Sequence, residues 1–301
     1  MSHSVNEILK FISEYICDNQ AGLAQYTFLA SEGHKKLKNS VNQLEDGIPV
    51  NIDEIKTNFN ELEEYLYLGF CEAFDNSFNY AIKFFQPRAK NSPRACIKVI
   101  AAEYLTTLYR KPELYIKDEN VKLQDNTAFQ CIAQGEKYFI CNDIPEGIKN
   151  GSYRNSRIIQ EAVLQYKSQA NLSALEKKSY DKEWIKCWKK VILVNGIEEE
   201  IPSPPEACYK STLVIPMSLL AKKLDQRFLS HFQIGKLPNI PQKAIFGFLC
   251  FDHHTENFFN EDIDVSFGYI LADVLSLYLI QQLTYTQYSS AYFRAKHFLE
   301  L

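Results

Sequence analysis

With 46% apolar residues in a chain of 301, there is enough hydrophobic material for a real core, and the length suits one large domain or two of ordinary size. The 33 basic and 37 acidic side chains, net charge -4, create no strong field for nucleic acid or an anionic membrane surface, so neither partner is expected. Glu7, Lys10, Glu14 and Asp18 break up the N-terminal stretch, which denies it the apolar core of a signal peptide and sets the expectation of a cytoplasmic protein.

Val5, Ile8, Leu9, Ile12 and Ile16 recur at helical spacing behind a capping Ser4, which predicts a short amphipathic helix. A second, weaker helix is expected over 21–44, stopped at Asp46-Gly47-Ile48-Pro49. From Asp53 a long helix carries the stripe Ile55, Phe59, Leu62, Leu66, Phe70, Phe74, Phe78, Ile82 and Phe85. Packing on the preceding helices and a seam between two chains would each cover it; phenylalanine suits a bundle better than a two-stranded coil in either case. Gln86-Pro87 closes this helical region, 1–90.

From Pro93 the period becomes extended. Residues 95–100 and 104–109 read as a hairpin turning at Ala102 and Glu103. Asn126-Thr127 caps a short helix, 128–133, ended by Gly135, and Tyr138 to Cys141 form a strand that stops at Asn142-Asp143. An insertion, 144–208, is mostly polar, with helices expected over 158–166 and 172–188, and is a candidate lid over a pocket. Tyr209 to Pro216 is a strand that enters polar, turns apolar and is stopped by Pro216. After a second insertion, 221–243, Ala244 to Asp252 forms the partner strand, where Gly247 marks a bulge or a close approach. The final helix starts at Glu261. Its apolar run from Phe267 to Leu283 is interrupted by Asp273, which favours a core helix over a membrane span. Tyr285, Tyr288, Tyr292, Phe293 and Phe298 in the tail, 284–301, call for cover from the N-terminal helices.

Ser211, Thr212, Leu213, Val214, Ile215 and Pro216, then Ile245, Gly247, Leu249 and Asp252, then the run from Asp262 to Leu283, resemble the second half of a GAF domain, the small-molecule sensor fold related to PAS domains. The resemblance covers 91–283 with interruptions. It implies an α+β chain: an N-terminal helical region, then a GAF-like domain with a central antiparallel sheet flanked by helices. It further implies a ligand pocket near Asn126, Thr127, Phe129, Asp143, Tyr209, Lys210, Ser211, Thr212 and Asp252. Lys210 and the start of the helix after Asn126 favour a small anionic metabolite or a nucleotide, with cyclic nucleotides first because other GAF domains bind them. No cofactor is implied, and no Cys-His pair offers a tetrapyrrole its attachment.

No phosphate loop, nucleophile elbow or His-Glu-x-x-His motif occurs, and no output domain is recognisable, so the reading is a non-enzymatic sensor. It would signal as a homodimer or through a separate output protein. Two other readings stand beside it. Cys131, Cys141 and Cys208 could line the pocket of a thiol-dependent enzyme similar to free methionine-(R)-sulfoxide reductase, although their local contexts depart from that family's motifs. A scaffold whose GAF-like pocket is filled by its own aromatic residues is the other. Asp252-His253-His254 resembles the signature of a metal-dependent phosphoesterase family, but neighbours on an extended segment point to opposite faces and the further aspartate motifs are missing, so no metal is expected. The eight cysteines contain no Cys-x-x-Cys pair and read as reduced.

Overall fold

The first helix, α1 (Val5–Glu45), runs unbroken where the sequence reading placed two helices. The Asn19-to-Gly22 stretch does not interrupt it. Asn19 donates its side-chain amide to the Tyr15 carbonyl one turn back at 2.9 Å, and Gly22 is there because a Cβ would lie 2.7 Å from the Tyr278 hydroxyl. The residues described in this computed structural model are 5–88, 93–101, 104–111, 121–166, 181–194, 197–225, 243–287 and 289–300. The expected turn at 102–103, the boundary near residue 90, Tyr288, the 172–180 part of a predicted helix and most of the 221–243 insertion lie outside them.

Contacts divide the chain into two compact units, Met1–Arg88 with Asp273–Leu301, and Ala89–Ala272. The division falls inside the last long helix rather than at residue 283. In the helical unit, α2 (Ile52–Phe85) pairs with α1 as an antiparallel hairpin: Tyr15 meets Ser77 at 3.0 Å, and the Tyr26 hydroxyl donates to the Leu66 carbonyl at 3.4 Å. The phenylalanine stripe is therefore covered within one chain, except for Ile82, which is 38% exposed while its neighbours Ala81 and Phe85 are buried. The tail aromatics divide. Tyr292 packs its ring on Phe59 at 4.9 Å and donates its hydroxyl to Glu63, while Phe293 and Phe298 stay exposed.

The second unit is built on one six-stranded antiparallel sheet in the order β3-β2-β1-β8-β7-β4. Its strands are β1 (Arg94–Ala101), β2 (Tyr104–Lys111), β3 (Val121–Lys122), β4 (Phe139–Cys141), β7 (Ser211–Leu220) and β8 (Lys243–His253). Between β3 and β4 lies α3 (Thr127–Ala133), and after β4 come α4 (Ile144–Lys149) and α5 (Gln160–Gln165). The last long helix, α6 (Glu261–Gln287), is followed by α7 (Ser290–Phe298). This is the α+β arrangement expected, a helical region followed by an antiparallel sheet flanked by helices. On one face of the sheet α6 packs so closely that a Cβ on Gly268 would lie 2.8 Å from Ile215 Cγ1. By length and composition, residues 261–286 could cross a membrane, but 56% of an 18-residue window within them is buried, and Phe267, Leu271, Leu275 and Tyr278 are buried, which is the pattern of a core helix.

Two expectations need correction. Pro216 does not stop its strand: β7 continues to Leu220, with Pro216 opposite Phe248. On its other side β7 is paired by β4 only at Thr212, Leu213 and Val214, so the missing N–H of Pro216 falls where no described strand asks for one. The insertion is also not a mostly polar lid. Residues 189–202 form a second sheet, the hairpin β5 (Lys189–Val194) with β6 (Ile197–Pro202). Ile144, Tyr153, Val163, Trp184 and Trp188 make a hydrophobic cluster of their own, with the two indoles edge to face at 6.0 Å. Gly247 behaves as read. The register slips beside it between Met217 and Ser218, and a Cβ there would lie 2.8 Å from the Lys98 carbonyl oxygen.

Candidate ligand-binding site

The face of the sheet opposite α6 is assembled by strand alternation. Arg94, Cys96 and Lys98 share one face of β1, Cys250 and Asp252 share it on β8, and Thr212 and Val214 on β7. Arg110 joins them from β2, directly opposite Cys96. Over this face lies α3, whose Phe129 packs on Phe248 with ring centroids 4.9 Å apart. The 144–208 insertion supplies the remaining wall through Tyr153, Asn155 and Arg157. Together these residues line a partly open cavity of about 60 Å³.

Among the described residues, four cationic side chains, Arg94, Lys98, Arg110 and Arg157, line it against one carboxylate, Asp252. Asp252 accepts from the Thr212 hydroxyl at 2.8 Å and faces Arg94 at 3.5 Å. Burial raises its pKa above the ordinary carboxylate range, with Arg94 foremost among the groups that pull it back. Lys98 donates to the Thr107 hydroxyl at 2.8 Å, and the Arg94 guanidinium lies 5.6 Å from the Tyr209 ring. Tyr209 accepts at its hydroxyl from Asn155 at 2.9 Å, and burial drives its pKa well up, so it remains a neutral phenol.

Of the nine residues expected near a pocket, Asn126, Phe129, Tyr209, Thr212 and Asp252 line this cavity. The other four do not. Lys210 points elsewhere, 3% exposed, to Asp181 at 2.9 Å, an aspartate that is itself 60% exposed. Ser211 donates to the Thr255 carbonyl, and Asp143 caps α4 by accepting from the Glu146 N–H at 2.9 Å. Thr127 ties α3 to the insertion: its N–H donates to the Arg154 carbonyl at 2.9 Å, and its hydroxyl accepts from the Arg154 N–H. The Ala128 N–H is taken by Asn126 Oδ1. The first N–H groups of α3 are thus spent inside the protein, contrary to the expected anion site at its start.

None of Cys131, Cys141 and Cys208 lines the cavity, and burial raises the thiol pKa of Cys131 and takes that of Cys141 to about 11. His253 accepts the Thr255 N–H at Nδ1 and stacks on Phe258 at 3.7 Å. Among the described residues no group of three or more His, Cys, Asp and Glu is placed to hold a metal. The residues missed by sequence reasoning are Arg94, Lys98, Arg110, Tyr153, Asn155 and Arg157. For the first two a signal existed, since cations at alternate positions of a buried strand must face something polar.

No family model and no curated protein matches the chain. Among the solved structures that match is one described as a far-red absorbing dark state with bound biliverdin IXa, which aligns over 82% of this chain and 98% of its own at 10% identity. The TM-score is 0.32, a likeness too slight to inform either fold or ligand.

Proposed function

We propose that the sheet unit is a non-enzymatic sensor module that binds a small anion in the cavity over its sheet and passes the bound state to a partner. The observation behind this reading is the convergence of Arg94, Lys98, Arg110 and Arg157 on one cavity whose lining, among the described residues, carries one carboxylate. Like charges crowd together at a cost that a bound anion relieves, and guanidinium groups match oxyanions with paired N–H donors. The cavity, about 60 Å³, holds a few waters or one compact oxyanion, against about 300–1,000 Å³ for pockets that take drug-sized ligands. A carboxylate, sulfate or phosphate group therefore fits better than a cyclic nucleotide. A homodimer would have to use other residues than the α2 stripe, which is spent within the chain.

The test is titration calorimetry with sulfate, inorganic phosphate and small dicarboxylates. Binding by the wild type is expected to fall at least about tenfold in Lys98→Met, the loss of one charge-assisted contact worth roughly 1.5–3 kcal/mol. Lys210→Met is expected to bind normally and to cost about 1 kcal/mol of stability, since Asp181 can return to solvent. Binding that survives Lys98→Met but is lost in Lys210→Met would sink the assignment of the cavity.

A second expectation concerns pH. Because the carboxyl of Asp252 has a raised pKa, the folded protein takes up its proton at a higher pH than a free carboxyl does, and the negative charge beside Arg94 then disappears. Sulfate stays ionised over this range. Its affinity is thus expected to rise as pH falls through the pKa of Asp252, and to be high and flat in Asp252→Asn. A wild type and variant with the same pH profile would show that this carboxylate does not oppose the ligand.

A further inference from the structure

The cavity also holds two thiols that the anion reading does not use. Cys96 of β1 and Cys250 of β8 are direct cross-strand partners, 5% and 3% exposed, and both line the cavity. Facing residues in an antiparallel ladder have Cα atoms about 4.5 or 5.5 Å apart, inside the roughly 4.4–6.8 Å span of disulfides. The pairing thus puts the two sulfurs within the range at which an S–S bond forms. The Cys250 S–H is held only weakly, reaching the Phe248 carbonyl at 4.0 Å, so it is not locked away from Cys96.

We propose that Cys96 and Cys250 are a redox-active dithiol, oxidised by hydrogen peroxide entering the cavity to a reversible cross-strand disulfide. Cys96 is the attacking sulfur. Arg110 stands directly opposite it on β2 and Lys98 two positions along the same face of β1, which favours its thiolate, whereas Cys250 has the Asp252 carboxyl two positions along its own face of β8. Burial keeps Cys250 protonated, which suits the resolving partner. In the first step the Cys96 thiolate attacks one peroxide oxygen, the O–O bond breaks, Cys96 becomes a sulfenic acid, and the departing hydroxide takes a proton from solvent to become water. In the second, the Cys250 sulfur attacks that of Cys96, the S–S bond forms as the S–O bond breaks, and the hydroxyl leaves with the Cys250 proton as a second water. Two thiols lose two electrons and one peroxide gains them. A thiol reductant reverses the change. A peroxide is small enough for the cavity, and the inference does not depend on any anion being bound.

The full-length protein is treated with stoichiometric hydrogen peroxide, unfolded in a thiol-blocking reagent, digested and examined by mass spectrometry. A linked peptide pair containing Cys96 and Cys250 is expected, absent after dithiothreitol. In Cys250→Ser, dimedone is expected to trap a sulfenic acid at Cys96, whereas Cys96→Ser should leave Cys250 unreacted. Without any variant, phenylarsine oxide, which bridges two neighbouring thiols, is expected to bind the reduced protein at this pair and not the oxidised one. Oxidation of other cysteines ahead of this pair, trapping at Cys250 rather than Cys96, or no arsenical bridge would each overturn the proposal.

Discussion

Phe248→Ala is expected to destabilise the sheet unit by about 3–5 kcal/mol. The ring is fully buried, lies against Phe129, and sits in a cluster with Cys96, Leu105, Val214, Ile245 and Cys250. Its removal takes away the surface on which α3 rests. The surrounding strands cannot close the gap, because their spacing is fixed by ladder hydrogen bonds. Both tryptophans of the chain, Trp184 and Trp188, lie between β4 and β7 in sequence and belong to this unit, so tryptophan fluorescence in a urea titration follows it alone. Phe248→Leu should recover most of the loss. A midpoint unchanged in Phe248→Ala would mean that the cavity floor is not part of the cooperative core.

The helical unit offers a sharper case, because two effects predict opposite signs. Gly69 lies inside α2, where helix propensity alone makes Gly69→Ala stabilising by about 1 kcal/mol. A Cβ there would lie 2.3 Å from Tyr26 Cδ2 and 2.9 Å from Cε2. That ring cannot step aside easily: it is buried, lies 5.6 Å from the Tyr278 ring, and its hydroxyl donates to the Leu66 carbonyl. Overpacking therefore wins, and Gly69→Ala is expected to cost about 1–3 kcal/mol net. Tyr26→Ala in the same background makes room, so the double variant should be more stable than the sum of the two single losses allows. Circular dichroism of the helical signal on heating measures the cycle. Additive losses would show that the two residues do not meet.

How far the chain could be read in advance depended on whether one physical rule decided each element. The α2 stripe and the change of period near Pro93 needed only hydrophobic spacing, and both came out as read but for the exposed Ile82. Gly247 and Asn126 needed only local backbone chemistry, a close approach and a cap. Pro216 was misjudged because its effect depends on whether a neighbouring strand extends that far, and no local pattern states the length of β4. The hairpin of β5 and β6 was missed although Val191-Ile192-Leu193-Val194 followed by Asn195-Gly196 is a strong signal for it. Helical spacing read up to Trp188 overshadowed it.

The site was about half legible for a related reason. Thr212 and Asp252 could be placed because they face each other across neighbouring strands. Lys210, two positions before Thr212, shares its parity and was expected beside it, but it precedes β7, where strand alternation no longer applies. The cations that matter come from β1, β2 and the insertion. Their convergence follows from pairing between β1, β8 and β2 over long sequence separations, and only the register shows it.

The stretch of β7 beyond Val214 has a consequence for solubility. A run of unpaired N–H and C=O groups on an open strand is a template on which another copy of the same chain can pair and grow into an aggregate. Beyond Val214, where no described strand pairs that side of β7, such a run is spoiled twice in succession: Pro216 offers no donor, and the slip between Met217 and Ser218 turns the strand out of line with any straight neighbour. A proline that looks misplaced within the ladder thus serves as a guard on the rim, keeping a sheet of very apolar strands from recruiting its own kind.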